Sequence, residues 1–207
     1  MSEAVLEPPV KKSNAVKLHI SKEFDFTEDR FFLLCQINRD LRLERTAEGD
    51  IIIMPPTGGV TGNRNQEITR QLGNWTKDDK TGAAFDSSTG FKLPNNANRS
   101  PDAAWVLHSR LSTLSFEQKS KFIPLCPDFV IELKSPTDTL EDSEAKMREY
   151  IANGTQLGWL VVPETRRVYV YRPGVEVEIL ENPESVSGEP LLTGFTLDLR
   201  EIWQPNI

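Results

Sequence analysis

The chain carries 207 residues, with 24 Lys+Arg against 31 Asp+Glu and a formal charge of −7. At 38% hydrophobic and 27% charged it has enough apolar material for one core, and no run approaches the roughly 20 apolar residues a membrane-spanning helix needs. Cys35, Cys126, His19 and His108 are too few for a disulfide framework or a structural zinc site, so any metal would take oxygen ligands; the acidic balance also argues against avid non-specific adhesion to nucleic acid.

Residues 1–22, with Pro8, Pro9 and Lys11-Lys12 and no apolar signal-like stretch, read as a loosely ordered arm, which implies a cytoplasmic address. One domain is expected over 23–207. Thr27 caps a helix through Glu28, Asp29 and the run Phe31 to Ile37. A hairpin follows, Leu41 to Arg45 and Ile51 to Met54, stopped by Pro55-Pro56. The spacing of Ile68, Leu72 and Trp75 predicts a helix from Thr61 to Trp75, with Glu67 about 100° from Ile68 at the edge of its apolar stripe. Strands are expected at Ala83–Asp86, Gly90–Leu93 and Asp102–Val106, with a loop over Pro94–Pro101 and a short helix around Phe116–Lys121. A strand over Asp128–Lys134 (DFVIELK) leads into a helix from Thr139 to Asn153, then a hairpin of Leu157–Val162 and Arg167–Tyr171. Short β pieces at Val175–Leu180, Leu191–Leu192 and Phe195–Leu199 end the chain. This order describes an α/β fold, a central mixed β-sheet flanked by helices.

The chemistry-bearing feature is Pro101-Asp102 at the start of one strand and Glu132-Leu133-Lys134 in another. Strand alternation puts Phe129, Ile131 and Leu133 on a core face, with Glu132 and Lys134 opposite. Two carboxylates from separate strands suit a magnesium ion, which takes one or two carboxylates and leaves positions for water and phosphate. Lys134 would then orient the attacking water or stabilise charge on the phosphate, and the reaction would be phosphodiester hydrolysis. Asp128 lies roughly 13 Å along its own strand from Glu132, too far to share an ion. Glu67 is a third candidate carboxylate, the alternative being a solvated helix flank. Asp102 with Glu132–Lys134 also has an alternative, a structural ion pair.

These residues resemble a known family. Asp102 in PDAAWV and Glu132-x-Lys134 in PDFVIELKSPTD match the PD-(D/E)xK nuclease pattern, and the run ELKSPTDTLEDSEAKMREYIANGTQLGWLVVPETRRVYVYRPG is similar to a bacterial family of "putative restriction endonucleases", formerly a domain of unknown function. The resemblance spans roughly Phe24 to Leu199, including LRLERTAEGDIIIMPP. It implies a restriction-endonuclease-like fold and a Mg2+-dependent endodeoxyribonuclease, Mn2+ substituting, with DNA as partner and no small-molecule cofactor; the lack of a long apolar run implies no membrane partner, and if both strands of a duplex are cut a homodimer is expected. It also implies a role for Lys146, spaced from Tyr150 as in the family and able to replace a missing motif lysine; an Asp142–Lys146 surface pair is the alternative. Many relatives carry a histidine at the start of the Glu67 helix, where this chain reads Gly58-Gly59-Val60-Thr61-Gly62-Asn63. A catalytically silent binding module and an RNA-directed nuclease are the competing functions.

Overall fold

The computed structural model describes residues 15–207 except Lys22 and Phe24. The larger part of the expected arm, 1–14 and Lys22, lies outside the described residues. Within the rest of it, β1 (Val16–Leu18) pairs antiparallel with β3 (Ile51–Met54). Helix α1 (Glu28–Ile37) starts at Thr27, whose hydroxyl accepts from the Arg30 amide, with Glu28 and Asp29 complementing the helix dipole. β2 (Arg42–Arg45) joins β3 as the expected hairpin. β5 (Phe91–Lys92) and β6 (Asn98–Arg99) complete an antiparallel five-stranded sheet in the order β1-β3-β2-β6-β5. β6 lies inside the segment expected to be a loop; its pairing through Arg45↔Asn98 is a long-range contact that local sequence does not encode.

The second sheet has six strands, β11-β10-β9-β8-β7-β4: β4 (Gly82–Asp86), β7 (Ala103–Leu107), β8 (Phe129–Leu133), β9 (Leu157–Val162), β10 (Arg167–Tyr171) and β11 (Glu178–Glu181). The single-turn helices α3 (His108–Leu111) and α4 (Phe116–Lys119), the latter at the place of the expected short helix, lie between β7 and β8. All neighbours are antiparallel except β8 and β9, which are parallel and joined by the crossover helix α5 (Leu140–Ala152). Thr139 caps α5 by accepting from the Asp142 amide at 3.0 Å. The architecture is thus a mixed α/β fold with a central mixed sheet flanked by helices.

Both faces of this sheet are buried. On one, Trp105, Phe129, Ile131, Leu133, Trp159 and Val161 pack under Ile68 and Leu72 of α2 (Gly59–Asp79) and under the C-terminal segment. That segment comprises the hairpin β12 (Ser185–Ser187) with β13 (Thr196–Asp198) and the turn of helix α6 (Arg200–Trp203). β12 and α6 lie outside the elements expected from sequence, and Leu191–Leu192 forms no strand. On the other face, Ala104, Val106, Val130, Leu160 and Tyr169 meet Met147 and Tyr150 of α5. Gly158 on β9 permits this approach, since a Cβ there would sit 2.5 Å from Met147 Cε. The alternation expected in β8 therefore holds, but the face of Glu132 is a second core and not a solvated surface. Among the described residues no helix is long and apolar enough to cross a membrane.

Candidate active site

The site forms where β7 and β8 run side by side. Ala103 lies opposite Ile131, so one further step along the antiparallel ladder brings Asp102 level with Glu132. Asp102 is held at both oxygens: Oδ2 accepts from the Leu133 amide at 2.9 Å and Oδ1 from Asn65 Nδ2 of α2 at 3.1 Å. The Arg42 guanidinium stands 3.9 Å from Oδ1. Glu132 receives both of its contacts on Oε1, from the Tyr150 hydroxyl at 2.9 Å and from Lys146 Nζ at 2.9 Å. Both residues are more than nine-tenths buried.

Two elements bring the remaining charges. Alternation in β2 sends Arg42 and Glu44 to the site, while Arg45 turns the other way, pairing with Glu28 and lying over the Phe31 ring. Glu44 Oε1 accepts from Lys146 Nζ at 2.9 Å and from the Ser100 amide at 3.0 Å, and its Oε2 accepts from Arg99 Nη1 at 3.0 Å. Arg99 Nε reaches Glu149 of α5 at 2.6 Å. Lys146 and Tyr150 are four residues apart on α5 and so share one face, both reaching Glu132 Oε1. A buried chain of charge results: Glu149, Arg99, Glu44, Lys146, Glu132, with Tyr150 at its end.

The electrostatics follow from burial. Desolvation alone would raise Glu44, yet the Lys146 and Arg99 charges and the Ser100 amide hold it down at about 2. Burial raises Glu132 to about 7, with Lys146 opposing and Asp102 and Glu44 reinforcing the rise. Asp102 is also raised by burial, against the Leu133 amide and the Arg42 charge. Burial would lower Lys146, but Glu132 and Glu44 lift it above its usual value, so it is a cation at neutral pH.

Two placements differ from the sequence expectation. Glu67 is not brought to Asp102 and Glu132: its carboxylate accepts from Arg70 and from Gln71 Nε2, and it lines an open groove with Asn74, Trp75 and Asp198. The physical reason is helical phase. Asn65, three before the core residue Ile68, falls on the buried stripe and meets Asp102; Glu67, two residues on, is turned about 200° away. Lys134 follows the end of β8, and its Nζ donates to Ser135 O at 3.1 Å and Glu164 Oε1 at 3.2 Å, not to the carboxylate pair. The lysine at Glu132 is Lys146. Asp128 is occupied by the Leu107 amide and Arg110, consistent with its separation from Glu132. Glu44, Asn65, Arg42 and Arg99 are absent from the sequence-based site; of these only Asn65 carries a local signal, its place on the apolar stripe.

Among the described residues no three His, Cys, Asp or Glu side chains lie close enough to form a metal-binding group, so the acidic triad of Asp102, Glu132 and Glu67 is not assembled. What converges is a pair, Asp102 and Glu132, which is the complement a magnesium ion takes when water and phosphate fill its other positions. Beside Asp102, Asn65 Oδ1 is buried with no hydrogen-bond partner among the described residues. An orphaned acceptor beside Asp102, with Asp102 and Glu132 both held above their usual range by burial, fits a cation in this pocket.

No curated protein matches the chain. Among solved structures it is similar to a "putative nuclease belonging to DUF820" from Anabaena variabilis ATCC 29413, with a TM-score of 0.65 and 22% sequence identity over 78% of this chain and 89% of that one. That likeness establishes the shared fold. The profile of the Uma2 family, described as "Putative restriction endonuclease", matches residues 28–200, more than four fifths of the length. The chain belongs to the Uma2 family.

Proposed function

We propose that this protein is a divalent-metal-dependent endodeoxyribonuclease that hydrolyses phosphodiester bonds at Asp102 and Glu132. The observation that carries the reading is the facing pair of buried carboxylates, with Lys146 held 2.9 Å from one of them. Membership of a family described as "Putative restriction endonuclease" supports it. Asp102 and Glu132 would hold the ion, Mg2+ or Mn2+, Glu132 through Oε2, since Tyr150 and Lys146 both occupy Oε1. When bound, such an ion supplies Lewis-acid charge stabilisation at the phosphate and activation of water.

The residues of the chain divide the remaining work. Lys146 is protonated, so it acts as a donor, orienting the attacking water or the phosphate oxygens and not abstracting a proton. Glu44 fixes the ammonium from the opposite side, and Arg99 keeps Glu44 ionised. Tyr150 and Asn65 hold the two carboxylates in orientation. Lys134, bound to Glu164, takes no part in this chemistry. Cutting both strands of a duplex calls for a second site, which a two-fold dimer supplies.

The test is incubation of the purified protein with supercoiled plasmid and Mg2+ or Mn2+, beside Glu132→Ala and a parallel RNA substrate. Metal-dependent nicking or linearisation by the wild type alone supports the reading. Plasmid left intact, or cut equally by the variant, overturns it; cleavage confined to RNA moves the substrate class.

A further inference from the structure

Arg42 is the charged group at this site that the proposed chemistry leaves without a task. It projects from the same face of β2 as Glu44, and its side chain retains 37% of its exposure, so it forms part of the rim. Its existing partners hold it weakly: Nη2 donates to Ser87 O at 3.3 Å and stands 3.9 Å from Asp102 Oδ1. Its Nε is buried and has no acceptor among the described residues. A desolvated donor without an acceptor is costly, and a guanidinium fork with open donors matches two oxygens of a phosphate. The position agrees: the guanidinium stands beside Asp102, 3.9 Å from Oδ1, within reach of a phosphate that an ion held by Asp102 would bring there. If Arg42 served only to neutralise Asp102, a separation shorter than 3.9 Å and an engaged Nε would be expected.

We propose that Arg42 grips the nucleic-acid phosphate presented at Asp102, its Nε and Nη groups donating to the non-bridging oxygens. The assignment rests on the nuclease reading and makes Arg42 a substrate-binding residue. Asn65 Oδ1 and Arg42 Nε, both orphaned, then flank Asp102 as an acceptor for cation and a donor for anion.

The test measures binding of a fluorescein-labelled DNA duplex by anisotropy, in calcium, across a KCl series, with wild type, Arg42→Gln and Arg42→Lys. Arg42→Gln is expected to bind about tenfold or more weakly, and the slope of log K against log salt to become shallower by about 0.9, the value for a single neutralised phosphate. Arg42→Lys, which keeps the charge and loses the fork, is expected to retain the slope and to bind with intermediate affinity; it also carries the comparison if Arg42→Gln does not fold. A structural role alone would not move the salt slope. Both variants binding with wild-type affinity and slope would overturn the Arg42 assignment while leaving the nuclease reading in place. A wild type that neither binds nor cuts DNA would overturn both.

Discussion

Replacing Lys146 by methionine keeps most of the aliphatic length and deletes an ammonium that Glu44 Oε1 and Glu132 Oε1 share at 2.9 Å each. Two contacts of 2.9 Å to one nitrogen place those oxygens at most 5.8 Å apart. Their repulsion, about 3 kcal/mol at an effective dielectric of about 20, is present in the wild type but offset there by the shared ammonium, and deleting that charge leaves it uncompensated, roughly two pKa units on a carboxyl. Glu44 keeps Arg99 and the Ser100 amide and stays ionised, so Glu132, already raised to about 7, absorbs the change and moves further up. The sign of the pH dependence follows. Between the usual glutamate value of 4.5 and its folded value, Glu132 holds a proton in the native state that the unfolded chain has released. Stability therefore falls as pH rises through that window, by about 1.4 kcal/mol per unit. In the wild type the fall ends near 7; in the variant it continues above. The expected loss is about 3 kcal/mol or more at about pH 9, and distinctly smaller at about pH 6. Urea unfolding at the two pH values measures it. A loss that is the same at both, or below about 1 kcal/mol at the higher, would refute the shared-ammonium argument.

Glu44→Gln is expected to flatten the acid limb of stability. A carboxyl held at about 2 contributes roughly 3 kcal/mol that is present above 4.5 and lost as pH falls toward 2, and acid titration of unfolding by circular dichroism reads the difference. Mn2+ at about 100 times its Kd should add about 2.7 kcal/mol to wild-type stability, seen as a rise in Tm; Asp102→Asn should remove that rise, and a variant that keeps it places the ion elsewhere. Glu67→Ala, which loses a largely buried carboxylate bonded to Arg70 and Gln71, should cost about 1 to 2 kcal/mol and leave both the Mn2+ response and plasmid cleavage at the wild-type level. Loss of either would return Glu67 to the site.

The elements legible in the sequence are those with a strong local code. Thr27 with Glu28 and Asp29, Ile68 with Leu72, and the DFVIELK run carry caps, a helical period or a strand parity within a few residues, and each element forms where that code puts it. β6, β12 and α6 escape such a reading because they exist through pairing or packing with distant chain, as Arg45↔Asn98 and Ser185↔Asp198 do.

The site divides in the same way. Asp102 and Glu132 are readable because a Pro-Asp step and a charged residue in an apolar strand are local anomalies, and the one-step continuation of the β7–β8 ladder makes them neighbours. Which lysine serves them is not readable from the motif. Lys134 is nearer in sequence, but the strand ends at Leu133 and its side chain goes to Glu164, whereas α5 lays Lys146 across Glu132 and Glu44, the latter 102 residues away along the chain. The acidic composition likewise set only a net charge of −7. Tertiary structure decided how that charge is used, because burial between two sheets, not sequence distance, determines which carboxylates face one another and which cations they hold.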